Sequence, residues 1–122
     1  MAVVLLAPDE HAAVQARRFA RGWLADRAVP SQVVDDIELV VAELVSNAVR
    51  HGAPPFELDL YQTDGVIRGE VRDGSMLAPS VNRNPDHLGG FGLCIVAACT
   101  ARWGMAVVPT GKRVWFEIES KS

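Results

Sequence analysis

The stretch Glu43-Leu44-Val45-Ser46-Asn47-Ala48-Val49-Arg50-His51-Gly52 stands near the end of a long apolar segment and decides how the chain is interpreted. Glu43 and Asn47 are separated by one helical turn, so on a helix they would lie on one face, about 40° from each other. The other side of that helix is aliphatic and would pack into a core through Ile37, Val41, Leu44, Val45 and Ala48. The sequence therefore predicts a helix that holds a carboxylate beside a carboxamide at the open edge of a core.

This pair of side chains has a chemistry of its own. A carboxamide oxygen is a hard ligand suited to Mg²⁺, and a carboxylate can orient or deprotonate a hydroxyl group. Taken alone, however, most such pairs belong to a solvated helix face. The rest of the chain has to decide between the two interpretations.

Length and composition narrow the class of protein. A chain of 122 residues that is 49% hydrophobic and 22% charged suits one globular domain, which we assign to residues 1–122. The net charge of −3 offers no dense basic stripe, so we expect no binding of nucleic acid. Met1 to Ala7 is too short for a signal segment or a membrane span and predicts a strand. Cys94 and Cys99 predict small buried side chains in a reducing, cytoplasmic compartment.

Turn signals and hydrophobic periodicity divide the chain into eight elements. In order they are a strand over 3–7, a helix that follows a turn and N-cap at Pro8-Asp9 and runs to about 28, and a helix over 31–51. A hairpin over 56–72 that turns at 63–65, a helix over 93–101, and a hairpin over 103–119 in which Val114, Phe116 and Ile118 face one way complete the chain. The order β-α-α-β-β-α-β-β predicts an α/β (α+β) fold, a two-layer α/β sandwich with its helices on one face of a mixed sheet. The loop over 74–90 is long for so small a domain, and such loops are usually functional or mobile.

Two further motifs can be placed next to the Glu43/Asn47 helix. Asp73 closes a strand and is followed by Gly74, so its carboxylate could accept a hydrogen bond from an amine, although an Asp-Gly turn is the commoner role. Gly90-x-Gly92-Leu93 opens a helix, where free N–H groups and the positive end of the helix dipole favour an anion. A flexible hinge would have the same sequence.

In this order and spacing the motifs resemble those of the GHKL ATPases, the family that includes the histidine kinases and gyrase. Glu43-x-x-x-Asn47-Ala48-x-x-His51-Gly52 is similar to the N box of that family, Asp73-Gly74 to its first glycine box, and Gly90-Phe91-Gly92-Leu93 to its second. Within the family, the stretches 38–45 and 103–116 look like those of the RsbW-type anti-sigma factor serine kinases. The resemblance covers residues 12–119 and implies a Bergerat-type ATP-binding fold.

The resemblance implies a role for each matching residue. Asn47 would ligate the Mg²⁺ that bridges the phosphates of ATP, and Glu43 would be the general base on the incoming hydroxyl group. Asp73 would hold the adenine amino group, with residues 75–89 as the nucleotide lid. The glycine boxes would close over the nucleotide through Gly74, Gly90, Gly92 and Leu93.

The chain departs from the family pattern at two positions. The first glycine box usually reads Asp-x-Gly, whereas Ser75 follows Asp73-Gly74 here. The family often places a threonine that helps to bind adenine near the end of the domain, and we assign Arg113 to that position. Lys112 and Arg113 are otherwise most simply interpreted as solvated charges. Both departures predict weaker ATP binding or an altered base preference.

The resemblance also implies partners. An RsbW-type kinase would phosphorylate a serine of a small STAS-type anti-anti-sigma protein, would sequester a sigma factor, and could form a homodimer. Two alternatives stay open at this point: a nucleotide-binding module that switches partner affinity without turnover, and a protein-binding scaffold that keeps only the fold.

Overall fold

The computed structural model describes residues 1–75 and 88–120, and side chains of the third helix from Cys94 onward. The elements are β1 (Ala2–Leu6), α1 (Ala12–Leu24), α2 (Ser31–His51), β2 (Phe56–Thr63), β3 (Val66–Asp73), α3 (Leu88–Cys99), β4 (Arg102–Val108) and β5 (Gly111–Glu119). This order confirms the fold class predicted from the sequence.

The five strands form one sheet in the order β1-β2-β3-β5-β4. Every strand pairing within the described ranges is antiparallel, so the mixed sheet predicted from the sequence is wrong in this respect. The reason lies in the connection from β1 to β2. It contains two helices, α1 and α2, which are joined by a short connection and pack against each other, and the chain then enters β2 antiparallel to β1.

The helix α2 packs its aliphatic face on the sheet, as its periodicity predicts. Seven side chains of α2 are buried, namely Val33, Ile37, Val40, Val41, Leu44, Val45 and Ala48. They meet a row of strand residues on one face of the sheet, which includes Leu58, Leu60, Ile67, Val71 and Phe116. Each fully buried aliphatic or aromatic side chain of this size contributes about 1.5–3 kcal/mol by leaving water, so this layer dominates the stability of the fold.

Strand alternation gives the sheet two different faces. All the strand side chains just named lie on the helix-covered face, and so do Asp73 and Lys112, which follow the same alternation. The opposite face, called the open face below, carries long polar side chains: Glu57, Asp59, Arg68, Glu70, Arg72, Arg113, Trp115 and Glu117.

Several element boundaries differ from the predicted ones. Helix α1 begins at Ala12, because Asp9 forms a preceding turn in which its Oδ1 accepts the N–H of His11 at 2.8 Å. Helix α1 ends at Leu24, before Ala28 with its positive φ of 51°. Helix α3 begins at Leu88, earlier than the sequence indicates, because glycines are weak helix formers and hide a helix from propensity arguments.

The hairpin between β2 and β3 turns where the sequence predicts. Asp64 and Gly65 have φ values of 52° and 80°, the pair of positive angles that a two-residue hairpin turn of type I′ requires.

No helix within the described ranges is both long and apolar enough to cross a membrane.

Candidate functional site

The helix α2 carries Glu43 and Asn47 on its partly exposed side, as predicted. The carboxamide oxygen Oδ1 of Asn47 accepts a hydrogen bond from Nη2 of Arg50 at 2.9 Å, one turn further along. Within the described ranges, the half-buried Glu43 takes part in no hydrogen bond and no ion pair.

The end of α2 lies against the end of β3, and Gly52 is the residue at which they touch. The N–H of Gly52 donates to the carbonyl of Ala48 at 2.7 Å and closes the helix. Its φ of −103° is open to any residue, so the glycine is not required for its backbone conformation. A Cβ at this position would instead lie 2.5 Å from Cγ and 2.6 Å from Oδ2 of Asp73. Gly52 therefore leaves the space that the Asp73 carboxylate occupies.

Asp73 is buried, with only 6% of its surface exposed. Its Oδ1 accepts the backbone N–H of Ser75 at 2.8 Å, so the predicted Asp-Gly turn does form. Its Oδ2 faces Nζ of Lys112 at 3.9 Å. The two carboxylate oxygens therefore have separate surroundings: Oδ1 holds the turn, and Oδ2 lies beside a cation.

Two more glycines let backbones pack closely around Asp73. The N–H of Gly74 donates to the carbonyl of Ala53 at 2.6 Å, and a Cβ on Gly74 would lie 2.5 Å from the carbonyl oxygen of Pro54. Gly111 has a φ of 148°, and a Cβ there would collide with the carbonyl oxygen of Asp73. Three segments thus meet at one corner of the sheet: the end of α2, the end of β3 and the start of β5.

The structure corrects the interpretation of Lys112 and Arg113 as solvated charges. Lys112 is 8% exposed and faces Asp73 from the adjacent strand, because the two residues are directly opposite in the β3–β5 register. Arg113 points to the open face, where its Nη1 lies 3.3 Å from Oε1 of Glu70. Lys112, and not Arg113, is therefore the β5 residue beside the predicted adenine-binding carboxylate. A strand alternation count from Val114 could have revealed this from the sequence.

Ser75 is also part of this corner. It is 9% exposed, and its N–H holds Asp73, so the departure from the family pattern at this position coincides with an ordered turn.

For the second glycine motif, the structure describes the backbone and not the side chains. Gly90, Gly92 and Leu93 are in the first half of α3, which packs against α2. Of the predicted lid, residues 76–87 lie outside the described residues. The roles assigned to the second glycine motif therefore stay predictions.

The residues that the structure describes fit a nucleotide with its metal. Asn47 supplies an uncharged oxygen of the kind Mg²⁺ accepts, and Asp73 supplies a carboxylate acceptor in a cradle that any side chain at Gly52 would fill. Among the described residues, no three side chains of His, Cys, Asp or Glu form a metal site of their own. Cys94 is exposed and Cys99 is half-buried, so Cys94 does not match its predicted burial.

Comparison with known proteins decides the family. A model of the histidine kinase-like ATPase domain matches residues 6–118. The chain belongs to this family. Searches of curated proteins give no match.

Solved structures with the same fold are similar to this ATPase domain. The structure of the RsbU and RsbW domains of Rv1364c from Mycobacterium tuberculosis matches with a TM-score of 0.76 and 22% identity, over 97% of this chain and 32% of that one. The histidine kinase domain of the blue-light activated kinase EL346 from Erythrobacter litoralis matches with a TM-score of 0.61 and 20% identity, over 88% and 60%. Acinetobacter baumannii histidine kinase AdeS matches with a TM-score of 0.58 and 15% identity, over 100% and 69%. The chain thus spans about a third of the first of these proteins. These likenesses show the fold.

The open face of the sheet holds a second group of ionisable residues, away from the corner at Asp73. Burial, together with a hydrogen bond to Glu57 and its charge, raises the pKa of Asp59 to about 6, which the Arg72 guanidinium at 3.5 Å only partly opposes. Arg68 stacks on the Trp115 ring at 4.3 Å and pairs with Glu117 at 3.0 Å. No prediction from the sequence covered this group.

Proposed function

We propose that this ATPase domain is an ATP-binding protein serine kinase of the RsbW type, which transfers the γ-phosphoryl group of ATP to a serine of a STAS-type anti-anti-sigma protein and regulates a sigma factor. The observation that supports this most is the contact between the end of the Asn47 helix and the buried Asp73 carboxylate at Gly52. This contact joins the helix of Asn47, the proposed metal ligand, to Asp73, the proposed acceptor of the adenine amino group.

The proposed division of labour follows from the side chains. Asp73 would accept a hydrogen bond from the adenine amino group through its carboxylate, and Asn47 would hold the metal through Oδ1, the oxygen that also accepts the hydrogen bond from Arg50. Bound Mg²⁺ would neutralise charge on the phosphates, which is the main requirement of phosphoryl transfer. Residues 75–89 would form the lid over the nucleotide, with Gly90 and Gly92 behind it.

The transfer itself needs one base. The serine oxygen of the partner forms a bond to the γ-phosphorus while the bond from that phosphorus to the β,γ-bridging oxygen breaks, and ADP leaves. Glu43 accepts the serine proton. Its carboxylate is suited to this because, among the described residues, no cation or donor engages it, and it lies one turn from Asn47 on the same helix.

A second candidate function is a nucleotide-dependent switch of partner affinity without turnover. The hydrogen bond from Arg50 to Asn47 favours it, because a metal ion on the same oxygen would place a second positive charge beside the guanidinium and could thereby move a charged side chain at the exposed end of α2. Binding energy would then serve to change a surface rather than to perform chemistry.

Calorimetric titration with ATP in the presence of Mg²⁺ tests the binding step. We expect micromolar affinity that disappears with EDTA and is largely lost in Asn47→Ala, since that variant lacks the metal ligand. Gln32→Ala is the matched control, because it removes a carboxamide from the first turn of the same helix, where the Gln32 amide donates to Asp36 at 3.0 Å. Equal ATP affinity of the wild type and Asn47→Ala would contradict the assignment of the site.

A second measurement separates the two candidate functions. Incubation with radiolabelled ATP and the STAS-type proteins of the same genome should give a phosphoserine on one of them. Tight ATP binding with no phosphorylated partner would favour the non-catalytic switch. Gel filtration with and without ATP would show whether the protein forms the homodimer that the resemblance implies.

A further inference from the structure

Lys112 occupies an unusual position for a lysine. Only 10% of its side chain is exposed, although an ammonium group is strongly hydrated and lysine is among the residues least often buried. The β3–β5 register places it directly opposite Asp73 on the helix-covered face. Its charge is thus directed to the corner where α2, β3 and β5 meet.

The contacts of the ammonium group are incomplete. Its distance of 3.9 Å from Oδ2 of Asp73 suits an ion pair but is too long for a hydrogen bond. Within residues 1–75 and 88–120, Nζ takes part in no hydrogen bond, although it carries three N–H donors. Among the described residues, Nζ is not one of the fully enclosed polar atoms, so an acceptor on a ligand that enters this corner can replace water at this group.

The surroundings of the pair are shaped by glycines. Gly52 leaves room for the carboxylate of Asp73. Gly111, which precedes Lys112, has no side chain and lets the backbone of β5 pack closely against the backbone of Asp73. The result is a carboxylate acceptor and an ammonium donor next to each other at one buried corner. A ligand that fits them must present a donor beside an acceptor.

We propose that Lys112 is a second residue that contacts the base. Its ammonium group donates a hydrogen bond to the ring nitrogen N1 of adenine, while the neighbouring amino group of the same base donates to Asp73. This inference rests on the proposed nucleotide-binding function. The adenine edge has an amino donor next to a ring-nitrogen acceptor, which is complementary to the Asp73/Lys112 pair. Guanine in the same pose has a carbonyl oxygen facing the carboxylate and an N–H facing the ammonium. Both contacts would then be repulsive, so the pair selects adenine against guanine.

The test compares ATP with 1-deaza-ATP, in which a C–H replaces N1. Affinities are measured by calorimetry in Mg²⁺ for the wild type, Lys112→Met and Arg113→Met. Arg113→Met is the matched control, since it removes a positive charge from the next residue of the same strand, on the opposite face. We expect the wild type and Arg113→Met to prefer ATP over 1-deaza-ATP by about ten- to a hundredfold, the range of a hydrogen bond to a charged group. In Lys112→Met the two ligands should bind equally.

Each outcome bears on a separate claim. A wild type that binds ATP and 1-deaza-ATP equally well would overturn the role of Lys112 and needs no variant that could misfold. A preference that survives in Lys112→Met would also overturn it. A wild type that binds no ATP at all would instead refute the proposed function, and the inference with it. Thermal unfolding of each variant shows whether its structure is intact.

Discussion

Replacing Gly52 with alanine should disturb the corner at Asp73 through a single methyl group. The φ of Gly52, −103°, suits alanine, so no backbone strain is expected. The added Cβ would lie 2.5 Å from Cγ of Asp73 on one side and 2.7 Å from the carbonyl oxygen of Ala48 on the other. Because ordinary contacts of a Cβ begin near 3.4 Å, the carboxylate has to withdraw by almost 1 Å.

The expected magnitude combines two opposing effects. Overpacking of this kind costs about 1–3 kcal/mol, and the lower entropy of the unfolded alanine chain returns about 0.4–1 kcal/mol. We therefore expect Gly52→Ala to lower the free energy of unfolding by roughly 1–2 kcal/mol. ATP affinity should fall by about tenfold or more, because the displaced carboxylate loses a charge-assisted hydrogen bond to the base.

Urea unfolding and calorimetric titration measure these two effects separately. The matched control is Gly22→Ala in α1, where nothing lies within 4 Å of the added Cβ. That change should raise stability by about 0.5–1 kcal/mol, because alanine is the better helix former, and should leave ATP binding unchanged. The reasoning is refuted if Gly52→Ala gains stability as the control does and binds ATP as the wild type does.

Three further predictions concern individual carboxylates. Asp73→Asn should lower the affinity for ATP by about tenfold in calorimetry. The affinity for purine riboside triphosphate, which lacks the amino group, should stay nearly unchanged, and equal losses for both ligands would make Asp73 a turn residue only. Glu43→Gln should keep ATP affinity and slow phosphoryl transfer to a STAS-type partner on the order of 10²–10⁴-fold in radiolabel assays, and unchanged turnover would exclude it as the base. The pKa of Asp59 is raised from 3.8 to about 6, so between these pH values the folded chain keeps a proton that the unfolded chain has lost. The contribution of this residue to stability therefore falls as the pH rises across that range. Asp59→Asn should therefore gain about 1–2 kcal/mol relative to the wild type between pH 4 and pH 7 in urea unfolding, and a constant difference between the two proteins over this range would contradict the prediction.

The sequence predicts the fold well because its periodic patterns are strong. The helix α2 shows a clear aliphatic stripe, and the Asp64-Gly65 turn has the residues that its positive φ angles require. The direction of β1 relative to β2 is harder to predict from the sequence, since it depends on how two helices pass over the sheet. Helix α3 begins within a glycine-rich stretch that resembles a loop, so its start was missed.

The site could be predicted in part, by motif rather than by packing. Asp73 and Asn47 are predicted as site residues because their spacing resembles that of a known family. Lys112 was missed because a lysine near a turn is usually solvated, and its burial depends on which face of β5 it shares. The sequence likewise does not predict that Gly52 leaves space for the Asp73 carboxylate, because this depends on the tertiary contact between α2 and β3.

The meeting of α2, β3 and β5 at one corner has a consequence for the energetics of the whole domain. Lys112 reaches Asp73 only in the native β3–β5 register, and a slip by one residue would turn its side chain to the open face. A ligand bound to this corner therefore recognises the folded sheet as a unit and not a local segment. Saturation at a hundred times its dissociation constant would stabilise the domain by about 2.7 kcal/mol against global unfolding. Slower hydrogen exchange should then extend along the central strands, including amides far from the bound ligand.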